Sequence, residues 1–138
     1  MTQMKAYTGV EQSKKLAEIL PLESADMWWA ERYEGRVLEN GQYVVNDTPY
    51  YYLSIIQPSS NNNSQDTIKD IPCWSLAALL DLMPRIEHVK PFVDLSPKLD
   101  SEKVAIYYHS GDSPYIVKDN LIDACYEMII ELNKRKLL

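Results

Sequence analysis

The chain has 138 residues and a formal net charge of -6, with 46% hydrophobic and 25% charged residues. That is the length and composition of a single globular domain, able to bury about two-thirds of its unfolded surface. Intrinsic disorder and dependence on metal or disulfide staples are excluded. The acidity is diffuse and no basic stripe interrupts it, which argues against a nucleic-acid ligand. The one dense basic run, Lys134-Arg135-Lys136, falls at a predicted helix end, where it complements the negative end of the helix dipole.

Cys73 and Cys125 belong to no CxxC pair and sit in apolar surroundings, so both are read as buried thiols of a reducing compartment, with a single disulfide between them as the alternative. Residues 1–9 contain no apolar stretch followed by a cleavage site, and no apolar run approaches the length of a membrane span. The expectation is a cytoplasmic protein that does not enter a membrane.

In chain order, Thr8 and Glu11 have the spacing of a capping box, and Leu16, Ala17, Ile19 and Leu20 give the following helix one apolar face. Pro21 stops it. From Ala25 the pattern changes to strand: residues 27–33 are rich in aromatics, and Arg36 to Glu39 follows. Asn40-Gly41 predicts a type I′ turn with positive φ at both positions. Gln42 to Val45 returns, and Tyr50 to Ile56 completes an expected antiparallel meander. Residues 59–67 are polar and without periodicity, and read as a mobile loop within the single domain 1–138.

Pro72 pushes Ile71 into an extended conformation. Ser75 then caps a short helix with Leu76, Leu79, Leu80 and Met83 on its buried stripe, and Trp74 is placed to staple onto Leu79. Pro84, Pro91 and Pro97 mark residues 84–101 as a surface connection. Lys103 to Tyr108 and Tyr115 to Val117 read as a hairpin. Asn120 caps the last helix, on which Leu121, Cys125, Met128, Ile129 and Leu132 form one continuous face. The predicted fold is α+β: an antiparallel sheet of about five strands with helices packed on one face, in the order α-β-β-β-α-β-β-α.

Four segments carry a resemblance: Glu11 to Leu16, Ser24 to Met27, Ile71 to Leu76 with Leu79-Leu80 and Met83-Pro84, and Asn120 to Ile130. Together they resemble a family of small uncharacterised proteins from Bacteroides-type bacteria, their prophages and other mobile elements. The resemblance spans most of the chain and implies a mobile-element setting. It carries over no activity, cofactor or catalytic residue.

Catalytic signatures are thin. His88 and His109 lack the spacing that sets two imidazoles on one helix face, and no phosphate-cradling glycine pattern or nucleophile elbow is present. Cys125 on an apolar helix face is inert packing, as is Cys73 beside Trp74. Asp26, after a turn, is assigned a local hydrogen bond. No metal or cofactor is expected.

Aromatic usage stands out, with 10 Tyr and 3 Trp against 1 Phe. A core needing only apolar volume would favour Phe, because each buried Tyr hydroxyl or Trp N–H requires a partner. The candidates for a contact surface are Trp28, Trp29, Tyr33, Tyr43, Tyr50, Tyr51, Tyr52, Tyr107, Tyr108 and Tyr115. Strand neighbours point to opposite faces, so Trp28 and Trp29 are expected to divide, as is Tyr51 from Tyr50 and Tyr52. The expectation is a non-enzymatic interaction protein that binds a protein partner, or itself as a homodimer, through an aromatic sheet face. The alternative is a small-ligand binder that holds a nucleotide-like molecule between rings, and an enzyme comes third.

Overall fold

In a computed structural model that describes residues 5–57, 69–95, 103–109 and 113–138, helix α1 spans Val10–Ala17. Its cap lies one residue beyond the Thr8–Glu11 box. Gly9 is the N-cap, and its N–H donates to Gln12 Oε1 at 3.0 Å. Thr8 is withdrawn from capping because its hydroxyl is already engaged inside the fold. Leu16 and Leu20 are buried, and Leu20 is followed by a 3₁₀ turn at Leu22–Ser24.

The chain then forms β1 (Met27–Arg32), β2 (Gly35–Val37), β3 (Tyr43–Val45), β4 (Tyr50–Ser54) and β5 (Lys69–Cys73), all before helix α2 (Leu76–Leu82). Three more strands follow, β6 (Phe92–Asp94), β7 (Val104–Tyr107) and β8 (Tyr115–Lys118), and the chain closes with α3 (Leu121–Lys134). The mixed α+β class stands. The single five-stranded sheet and its order do not: the described strands form three antiparallel sheets, β4-β1-β5, β2-β3 and β6-β7-β8.

Two strands account for much of that difference. β5 contains Pro72, and β6 lies inside the proline-marked connection. Proline cannot donate to a ladder and is confined to edges, so a run containing it reads as non-strand. Pro72 indeed lies on an edge strand. The meander is also replaced. β1 pairs with β4, Ala30 facing Tyr52, and with β5, Ala30 facing Asp70, while β2 and β3 pair only with each other. Residues 59–67, read as a loop, lie outside the described residues.

The helices follow their caps and stripes more closely. Ser75 Oγ accepts from Ala78 N at 3.2 Å, and Trp74 and Leu79 are both fully buried in one cluster. At the other end of α2, Lys90 Nζ donates to the carbonyls of Leu80, Asp81 and Met83, the last at 2.6 Å, satisfying groups that a helix end leaves open. Asn120 Oδ1 accepts from Asp123 N at 2.9 Å to start α3. Cys125, Met128, Ile129 and Leu132 on α3 meet Val104 and Ile106 of β7 and Leu16, Trp74, Leu79 and Met83 in the principal core. The amphipathic period of α3 thus fixes where that core sits.

A second, polar seam joins α1 to the β4-β1-β5 sheet. Thr8 is fully buried, its hydroxyl 2.7 Å from Ser13 Oγ and accepting from Trp74 N at 3.2 Å. Its N–H donates to Trp74 O at 3.0 Å, while its carbonyl accepts from Trp29 Nε1 at 2.9 Å and from the Cys73 thiol. Buried polar groups persist only when so partnered.

Candidate functional site: the aromatic sheet faces

The register of each sheet decides which rings look inward. On β1, Trp29 and Glu31 face the α1 side. Trp29 donates to Thr8 and meets Tyr7 edge to face at 5.8 Å. Glu31 is buried and accepts from Tyr51 Oη at 2.8 Å. Trp28, Ala30 and Arg32 occupy the other face with Tyr50 and Tyr52, which are 46% and 43% exposed. The division of Trp28 from Trp29, and of Tyr51 from Tyr50 and Tyr52, follows the strand alternation.

Two charges strengthen this outer face. Arg32 lies 5.7 Å from the Tyr52 ring centroid, within cation–π reach, and 3.4 Å from the nearly covered carboxylate of Asp70. On the inner side Lys14 lies 5.9 Å from the ring of Tyr51. The Tyr51 phenol is pushed up to about 12, first by its bond to the Glu31 carboxylate and then by burial.

The β6-β7-β8 sheet repeats the pattern. α3 covers one face, where Val104 and Ile106 are buried. The other carries a row in register: Phe92 opposite Tyr107, and Tyr107 opposite Tyr115. The ring centroids lie 5.8 Å and 5.2 Å apart, and His109 adds its imidazole 5.3 Å from Phe92. Such cross-strand pairs each contribute about 0.2–1 kcal/mol, yet they leave outer ring surface in water. Phe92 and Tyr115 are 42% and 57% exposed.

The ten predicted surface residues therefore do not form one site. Tyr108 belongs to the core: it is buried and donates to Pro84 O at 2.7 Å, and burial pushes its phenol up to about 12. Trp29 and Tyr51 are turned to the α1 side, and Tyr33 is half-buried beyond the end of β1. Trp28, Tyr50 and Tyr52 share one outer face, Tyr107 and Tyr115 another, and Tyr43 stands exposed on the β2–β3 ribbon. Phe92 and His109 were missed. The signal for His109 was its spacing of two from Tyr107, which places it on the same face.

Both cysteines are buried and unbridged. Burial pushes the Cys125 thiol up to about 12, and burial raises Cys73 although Thr8 and Ser13 partly offset it. His88 and His109 are exposed. Asp26 does not make the local bond expected of it: its carboxylate accepts from Ser75, the cap residue of α2, far away in sequence. Among the described residues, no three His, Cys, Asp or Glu gather as a metal ion requires, and no helix is long and apolar enough to cross a membrane.

An open groove of about 450 Å³ runs between α2 and β6, lined by Ala77, Leu80, Asp81, Lys90, Pro91 and Val93. No tyrosine or tryptophan lines it, so it does not provide the ring sandwich that a nucleotide-like ligand would use. Compared with protein-family models, curated proteins and solved structures, the chain matches none.

Proposed function

We propose that this chain is a non-enzymatic interaction protein that binds a partner protein, or a second copy of itself, through an outer aromatic sheet face. The observation that carries the reading is the row Phe92, Tyr107 and Tyr115 with His109, laid across the whole β6-β7-β8 sheet opposite α3. Interaction surfaces are enriched in Tyr and Phe, which present large rigid area at low entropic cost. The outer face of the first sheet, with Trp28, Tyr50, Tyr52 and Arg32, is a second patch of the same chemistry. Two unbridged buried thiols accord with a reducing compartment such as the cytoplasm. A mobile-element setting among Bacteroides-type bacteria suits a small protein that acts by occupying another.

The test replaces Tyr107 and Tyr115 together by Ser and follows self-association by sedimentation, with partner capture from the native host alongside. Binding is expected to fall at least tenfold while the unfolding midpoint changes little. Unchanged association and capture would remove the face from function. A collapsed fold would make the row structural, and the single Tyr115→Ser variant then decides, because the edge ring carries less of the packing.

A further inference from the structure

We propose that Asn40 is a site of spontaneous chemical modification in the folded chain, converted to aspartyl and isoaspartyl products by attack of the Gly41 backbone nitrogen. Local opening of the β2–β3 ribbon gates the reaction. Asn40 and Gly41 are both exposed, and nothing lies within 4 Å of where a Gly41 side chain would begin. A following residue with no Cβ leaves the asparagine amide unobstructed, and its backbone reaches the strained geometries that ring closure needs.

The closed turn restrains the reaction. Leu38 N donates to Gln42 O at 2.8 Å and Gly41 N to Leu38 O at 2.9 Å. The Asn40 side-chain oxygen accepts from Gln42 N at 2.9 Å. While these bonds hold, the attacking nitrogen is engaged and the target amide is tied away from it. The ribbon that holds the turn is weakly anchored, however. It forms a sheet of its own, all three residues of β2 are exposed, and Val37 and Tyr43 are 69% and 64% exposed. An isolated two-stranded ribbon is marginally stable in water. It opens far more often than the core around α3 unfolds.

In the open state the Gly41 nitrogen gives up its proton to solvent base and bonds to Asn40 Cγ. The Cγ–Nδ2 bond breaks and ammonia leaves, closing a five-membered imide. Water then adds to one of the two imide carbonyls. Cleavage of the new bond gives aspartate. Cleavage of the original peptide bond sends the main chain through the side chain, one methylene longer, and frees the old carbonyl carbon as a carboxylate. The sum is amide plus water to acid plus ammonia, with no change of oxidation state. Each event adds a negative charge, and the isoaspartyl form lengthens the loop whose size sets the ribbon's register.

The experiment incubates the intact protein in mildly alkaline buffer and quantifies both products by peptide mapping. The reference is the blocked peptide Leu38 to Tyr43 under the same conditions. Conversion at Asn40 is expected to be slower than in the peptide by less than about a thousandfold, the slowing that reaction through the globally unfolded chain alone would impose. Asn46, Asn120 and Asn133 are expected to stay unchanged. Tyr43→Ala, which removes the ring lying over Gly35, is expected to speed conversion several-fold without moving the unfolding midpoint. Slowing beyond that limit, or equal conversion at Asn46, Asn120 and Asn133, overturns the site. An unaltered rate in Tyr43→Ala overturns the gating.

Discussion

The carboxylate of Asp26 takes both the backbone N–H and the hydroxyl of Ser75, the former at 2.9 Å, while that hydroxyl accepts from Ala78 N. One side chain from the approach to β1 thus finishes the cap of α2, 49 residues away in sequence. Replacing Ser75 by Ala is expected to cost about 1–2 kcal/mol in urea unfolding, the range for a lost helix cap. Asp26→Ala is expected to cost about 1 kcal/mol, and the double variant less than the sum. Strict additivity would mean that the two residues act separately.

Tyr51 and Tyr52, adjacent in sequence, are expected to differ in what their mutation costs. Tyr51→Phe leaves the buried Glu31 carboxylate without its phenolic donor and is expected to cost about 1.5–3 kcal/mol, the range for a bond to a charged group. Tyr52→Ser removes an exposed ring and one cation–π contact, and is expected to cost about 1 kcal/mol or less. Equal costs in thermal unfolding would refute the assignment of faces.

The pH dependence centres on Asp123. Burial pushes its carboxyl up, but the bonds from Gln12 and Asn120 and the charge of Lys5 outweigh it and hold the group below the usual range. A folded-state value below the unfolded one stabilises the fold at every pH above about 4. That contribution is lost as pH falls through the folded value. Asp123→Asn is therefore expected to be less stable than the parent near neutrality, with the gap closing below about pH 4. A gap that persists into strong acid would assign the effect to packing instead.

Both thiols are expected to resist alkylation in the native state. Cys125 lies in the main core with a thiol raised to about 12, and is expected to react only on global unfolding. Cys73 lies in the polar seam outside that cluster and is expected to react first. Trp74→Ala, which empties a fully buried site, is expected to cost about 3 kcal/mol or more and to hasten both reactions.

Glu87 and His88 both carry positive φ, 53° and 69°, in a turn closed by Ile86 and Val89 bonding to each other in both directions. L-residues pay about 1–2 kcal/mol for that conformation. Glu87→Asn combined with His88→Gly is expected to raise stability by about 1 kcal/mol in chemical denaturation. No gain would mean that Arg85, which donates to His88 O, or another contact already offsets the strain.

These turns show how far sequence signals reach. A type I′ turn was expected at Asn40-Gly41. There only Gly41 has positive φ, 85°, and the loop closes from Leu38 to Gln42 as a three-residue hairpin with a bulge. The two-residue form occurs instead at Glu87-His88, where neither side chain announces it. Elements with their own caps and periodicity were legible: α3 with Asn120 and Asp123, α2 with Ser75. β5 and β6 were hidden because their proline-marked segments acquire strand geometry only by pairing, β5 with β1 far back in the sequence and β6 with β7, the strand that follows it. For the rings, alternation told which neighbours part company but not which side is covered. Tyr108 therefore passed as a surface candidate until the carbonyl of Pro84 claimed its hydroxyl.

Thr8 has a consequence for how such a chain can change over generations. Its amide, carbonyl and hydroxyl are all committed, to Trp74, Trp29, Cys73 and Ser13. Valine would fill the same volume at position 8, but would strand the Trp74 amide and the Ser13 hydroxyl away from water. Cysteine 73 or serine 13 altered alone meets a similar obstacle, since each is one side of a bond whose other side is sealed in. These positions can drift only in concert, whereas the fold itself places no such joint constraint on the exposed rings at 50, 52 and 115.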